Sequence, residues 1–208
     1  MFKYKKMIAF FILSILLIGG GIIYIILADT NVYTSDKTVL TQNKAVKKNY
    51  NDIDQKAEVN EKIENLINGY LNAKLKEDMS TMVNYVNDVK LLNEKKIMAQ
   101  NQYIESYENV KCKIKKCKRE EIYRVYVYYD IKAYDIEAGL PSLSAFCVKK
   151  ENEDYKIYLG KIANNVQKEI EKYDNSDEIT ALKQSVQKRM NEIISTDEQV
   201  RNLFDELK

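Results

Sequence analysis

The 208-residue chain contains no histidine. That absence excludes Ser-His-Asp and Cys-His nucleophilic catalysis, imidazole-based zinc sites, and the usual protonation switch near neutral pH. Acid–base chemistry would have to rest on Asp, Glu, Lys, Tyr or Cys. Tryptophan is absent as well, and proline occurs once. No Pro- or Gly-rich stretch divides the chain, so no second domain and no repeat is expected. Cysteine is sparse: Cys112, Cys117 and Cys147, an odd number that leaves at least one unpaired within the chain. A Cys112–Cys117 disulfide is one candidate, although so short a loop gains little entropy from closure. In the alternative all three are thiols, with Cys147 a small buried apolar residue. No metal-ligand spacing or cofactor fingerprint is present, so no metal and no cofactor is expected.

A charge excess is also missing. Lys and Arg total 33 against 31 Asp and Glu. Three of the cations precede residue 7, leaving 30 against 31 in the remainder. A nucleic-acid binder would show a strong basic excess, so no nucleic-acid partner is expected.

What is present begins with one long apolar run, Met7–Ala28, of 22 residues without a formal charge. As a helix it spans the ~30 Å hydrocarbon layer. Lys3, Lys5 and Lys6 precede it and Asp29 follows, which orients the N-terminus to the cytoplasm and the rest outside. A cleaved signal peptide fits less well: the run is too long, and a cut after Ala28 would place bulky Ile26 where a small residue is needed. The expected organisation is a cytoplasmic tail (1–6), a transmembrane signal anchor (7–28), a polar linker (29–54) and an extracytoplasmic domain (55–208). The expected location is the cell membrane, single-pass, with the C-terminal domain extracellular. That compartment permits disulfides.

Within the domain, Val59, Ile63, Leu66, Ile67, Tyr70, Leu71 and Leu75 recur at helical steps, predicting a helix over about 55–77 with Asp54 at its N-cap. Asp78 is placed to cap a second short helix, and a third is expected over about 92–107. The period then switches to two. Val110, Cys112 and Ile114 alternate with lysines, and EIYRVYVYYDIKAYDI places Tyr123, Val125, Val127, Tyr129, Ile131 and Ala133 on one face. Tyr126, Tyr128 and Asp130 lie on the other. Two further strands are expected at 142–149 and 155–159. Helices close the chain at about 164–173, 177–195 and 197–207, the last opened by a Thr196–Gln199 capping box. Helices followed by an antiparallel four-strand meander make an α+β fold.

This order, with the segment IENLINGYLNAKLKEDMSTMVNYV leading into YRVYVYYDIKAYDI, resembles the NTF2-like (cystatin-like α+β) superfamily. The segments ESYENVKCKIKK and VYVYYDIKAYDIEAGLPSLSAFCVKKENEDYKIYLG resemble, more narrowly, small membrane-anchored NTF2-like proteins of clostridial and related Gram-positive bacteria. The resemblance implies a cone: helices packed on a curved antiparallel sheet, with a pocket lined by Tyr70, Tyr85, Tyr103, Tyr126 and Tyr128. Asp130 is then the nearest imitation of the superfamily's isomerase base, unless it faces solvent or pairs with Lys132. The motifs match no catalytic set residue by residue, and one fold of this kind hosts many functions.

One charge run stands out: Lys111, Lys113, Lys115, Lys116, Lys118 and Arg119. It reads either as a contact for anionic polymer or headgroups, or as a solvated hairpin tip that discourages edge pairing. The functional expectation is a non-catalytic, membrane-anchored binding or scaffolding protein of the bacterial envelope, with the membrane and an envelope protein as partners. The alternatives are a structural subunit of a conjugation or secretion complex, and a small-ligand binder or enzyme using the tyrosine-lined pocket.

Overall fold

The computed structural model describes residues 50–118 and 121–205. The expected anchor at 7–28, its basic flank, residues 29–49 of the linker, and Arg119 lie outside the described residues. Among the described residues, no helix is long and apolar enough to cross a membrane.

Helix α1 (Tyr50–Leu75) is the longest element. It takes in residues 50–54 of the expected linker, so Asp54 lies inside the helix and does not cap it. Its stripe is the one the sequence predicts, with Ile63 and Ile67 fully buried. The helix ends in a Schellman-type turn: Asp78 N–H donates to the Ala73 carbonyl and Glu77 N–H to that of Lys74. That turn holds Glu77 at φ 56°, a left-handed conformation that ordinarily selects glycine. Asp78 then caps α2 (Met79–Met82), accepting from the Thr81 N–H at 3.0 Å.

Helix α3 (Glu94–Asn101) is shorter than expected, because strand β1 (Ile104–Lys116) begins six residues before the alternation that opens at Val110. Two bulges hide the period. Pairing with β2 (Ile122–Ala133) shifts register between Ile104 and Ser106, and again between Glu108 and Lys111. At the second shift Asn109 adopts φ 53°. The extra residue reverses the parity of the strand. Tyr107 and Cys112, five positions apart, therefore pack into the same core, while Lys111, Lys113 and Lys115 turn to the opposite face.

The sheet continues through β3 (Leu140–Glu151) and β4 (Asp154–Ile157) in the order β1-β2-β3-β4, antiparallel throughout. It curls into a half-barrel with helices packed on it, an α+β architecture. Pro141 sits second in β3, opposite Asp130, and does not break the strand. One face packs α1: Tyr123, Val125, Val127, Tyr129, Ile131 and Ala133 join Ile63, Leu66 and Ile67 in the main core. Each buried valine, leucine or isoleucine there contributes roughly 1.5–3 kcal/mol of transfer free energy.

The other face is covered by α4 (Asn164–Asp174) and α5 (Asp177–Thr196). Ile122, Val166 and Ile170 form a second core there. Arg124 and Asp174 make a buried bidentate pair at 2.9 and 2.6 Å, and the Tyr126 and Tyr173 rings meet edge to face. Helix α6 (Glu198–Asp205) closes the described chain. Its first turn is capped by Asp197, which accepts from Val200 N–H; the Thr196 hydroxyl donates back to Glu192 instead.

Candidate functional site

The six residues expected to line one pocket fall into separate places. Tyr70 is in the main core, its ring edge to face with Phe146 at 5.8 Å. Tyr85 packs over Gly69 of α1, where an added Cβ would lie 2.6 Å from the ring. Tyr103 is buried at the α3–β1 junction, where its carbonyl accepts from Tyr134 N–H. Only Tyr126, Tyr128 and Asp130 stay together, and they face α5, away from α1.

Asp130 is 2 % exposed and is held by four hydrogen bonds from three side chains. Arg189 of α5 reaches it with both guanidinium nitrogens, at 2.5 and 3.1 Å. The Asn109 amide donates at 2.8 Å and the Tyr128 hydroxyl at 3.2 Å. Arg189 also donates to the Tyr128 hydroxyl. The bulge that puts Asn109 in the left-handed region is what aims its amide at the carboxylate. Asp130 therefore neither faces solvent nor pairs with Lys132, whose ammonium donates to the carbonyls of Ile136 and Glu137. A carboxylate committed to an arginine fork and two neutral donors has no lone pair placed for a substrate proton.

Arg189 carried a sequence signal that is easy to pass over. It lies seven residues after Leu182 and three after Val186, on the inward stripe of α5, where a charge needs a buried partner. Asp174 carries the same signal, four residues beyond Ile170 on the stripe of α4.

A groove of about 430 Å³ opens beside this network, between β1, β2 and α5. Lys111 and Lys113 line it from β1, Tyr126 and Tyr128 from β2, Ser185 and Arg189 from α5. The Tyr126 phenol is pushed well above its ordinary range, first by burial and then by its hydrogen bond with Asp174.

On the α1 side, sequence reasoning missed Lys74. Its ammonium sits 5.7 Å from the centre of the Tyr107 ring, and burial, with a smaller push from Lys96, lowers it to about 8. Burial raises the Tyr107 phenol strongly, and neither the Tyr107 hydroxyl nor Asn101 Oδ1 has a hydrogen-bond partner among the described residues. The Asn101 amide donates to the Lys74 carbonyl at the end of α1.

The cysteines do not bridge: all three are free. No bulge lies between Cys112 and Cys117, so five positions put them on opposite faces of the β1 edge. Cys112 lies against the α1 core and Cys117 in the Ile122–Val166 cluster. Burial pushes their thiols up to about 12 and about 11, so they are neutral and unreactive at physiological pH. The basic run is likewise divided between faces. Lys113 pairs with Glu178 of α5 and Lys115 lies over the Tyr173 ring, while Lys116 lies over Tyr123 on the α1 side.

Among the described residues, no group of three or more His, Cys, Asp or Glu side chains could hold a metal ion. Compared with family models, characterised proteins and solved structures, the chain matches none of them.

Proposed function

We propose that the chain is a single-pass membrane protein whose extracytoplasmic domain, an NTF2-like cone with added C-terminal helices, binds a partner or organises an assembly in the bacterial envelope without catalysing a reaction. The uncharged run Met7–Ala28, its lysine-rich flank and the polar stretch after it support the location. The long first helix laid on one face of a curled four-strand meander supports the cone. The observation that carries the non-catalytic reading is the state of Asp130. In a chain without histidine it is the best-placed acid–base candidate, and it is clamped by Arg189, Asn109 and Tyr128 on the face away from Tyr70. A subunit of a conjugation or secretion complex is the narrower form of this reading, and residence among transfer genes would single it out.

Crosslinking in intact cells, followed by purification of the full chain from membranes, tests the proposal. The expected result is one envelope protein captured reproducibly in stoichiometric yield. Repeated recovery of the chain alone would contradict it.

One observation favours a second reading, a small-ligand binder. Lys74, depressed to about 8, stands beside two unpartnered polar atoms beneath the sheet. Under that reading a ligand screen by thermal shift gives hits that Lys74→Met abolishes. A screen whose hits survive Lys74→Met removes it.

A further inference from the structure

We propose that the groove between β1, β2 and α5 is a binding site for a phosphodiester group. This names the ligand chemistry of the binding protein inferred above, and rests on that reading only for where the ligand is met. The charges around the groove do not cancel. Arg189 is matched by Asp130, and Lys113 by Glu178 at 2.5 Å. Lys111 has no carboxylate within ion-pair distance among the described residues and stands exposed at the groove. One positive charge is left over, which suits a singly charged anion.

Lysines, not a free arginine fork, are what the groove offers an anion. The fork suits planar carboxylate and phosphate alike, but both terminal nitrogens of Arg189 already hold Asp130, which closes bidentate recognition of either. The remaining cations are lysines, point charges with three rotatable donors that suit a tetrahedral phosphate oxygen. Lys113 is 41 % exposed at its side chain, so it keeps donors available beyond its contact with Glu178. Tyr128 and Leu182 supply an apolar wall for the carbon chain on either side of the phosphate. The Asn109 bulge is what brings these lysines to the groove, by turning the odd positions of β1 toward α5.

A phosphodiester of this kind occurs in lipid headgroups and in polyol-phosphate polymers, and the test separates them. The purified full chain in a non-ionic, phosphorus-free detergent is titrated with glycerophosphoglycerol, with the short-chain lipid carrying the same headgroup, and with acetate, observing the heat of binding. The expected result is saturable binding of the phosphodiester that weakens with ionic strength and falls about tenfold or more in Lys111→Glu, where attraction becomes repulsion. Lys168→Glu, an exposed cation on α4 away from the groove, should leave it unchanged. Equal affinity for the two phosphodiesters assigns the polymer source, and preference for the acylated one assigns the lipid. Absence of binding overturns the proposal, as does equal loss in Lys168→Glu or acetate binding as tightly as phosphodiester. Any of these failures would leave the capture of an envelope protein untouched.

Discussion

Replacing Arg189 by methionine removes the only cation that, among the described residues, reaches the Asp130 carboxylate, while keeping an apolar stem of similar length. The carboxylate side chain, 4 % exposed, would keep two neutral donors, Asn109 and Tyr128. Stripping the partner from a fully buried ion pair costs roughly 3–5 kcal/mol. The Arg189 side chain is 42 % exposed, so water can take part of its place. That discount leaves about 2–3 kcal/mol, or about 5–10 °C in melting temperature for a domain of this size. Asp130→Asn should cost less, about 1 kcal/mol: the shape survives, and the orphaned guanidinium can turn to water. In the Asp130→Asn background, Arg189→Met should then be nearly neutral, a coupling of about 2–3 kcal/mol. Urea unfolding followed by circular dichroism at constant pH measures all three. Equal single-variant costs, or costs that simply add, would refute the picture of a buried anion dependent on one partly wet cation.

Three further outcomes follow from the same geometry. Lys74 titrates lower in the folded chain than in the unfolded one, so the unfolded state holds the extra proton between about pH 8 and 10.5. Stability should therefore rise with pH from about 8 to 10, and Lys74→Met should flatten that rise while stabilising the protein at pH 7 by roughly 1–2 kcal/mol. An unchanged slope in the variant would show that the ammonium is solvated. Glu77→Gly should stabilise by about 1 kcal/mol in chemical denaturation, because it relieves a left-handed residue at an exposed turn; destabilisation would mean that the Glu77 side chain contributes more than the strain costs. Gly69→Ala should gain about 1 kcal/mol of helix propensity and lose more to the Tyr85 ring, for a small net loss. In a Tyr85→Ala background the same change should reverse sign, and no reversal would refute the claim that Gly69 exists to seat Tyr85.

The elements whose apolar period is unbroken were legible from the sequence: the stripe of α1, the inward face of β2, and the boundaries of α4 and α5. Strand β1 was not, because a period-two reading cannot cross a bulge. Two of them, near Glu105 and Asn109, made 104–107 read as the end of a helix. The candidate site was half legible. Tyr126, Tyr128 and Asp130 were grouped correctly by parity along one strand, a local property. Joining them to Tyr70, Tyr85 and Tyr103 required knowing which face of the sheet α1 covers, and that is set by packing over long separations. Because α4 and α5 occupy the second face, Tyr126 and Tyr128 pack at a helix interface. The partner of Asp130 was readable in principle, as a charge on the inward stripe of α5, but only once a charge there is taken as a demand for a buried counter-charge. Of the two cysteine readings, the Cys112–Cys117 bridge fails on strand parity alone, and three free thiols are what the structure has.

The central claim is that the folded domain stands outside the membrane, held by residues 7–28. Protease shaving of intact cells expressing the full chain with a C-terminal epitope tests it most directly. The account predicts loss of the epitope in intact cells, with the protein in the membrane fraction, and release of the domain from that fraction when residues 7–28 are deleted. An epitope protected until the cells are lysed would contradict it.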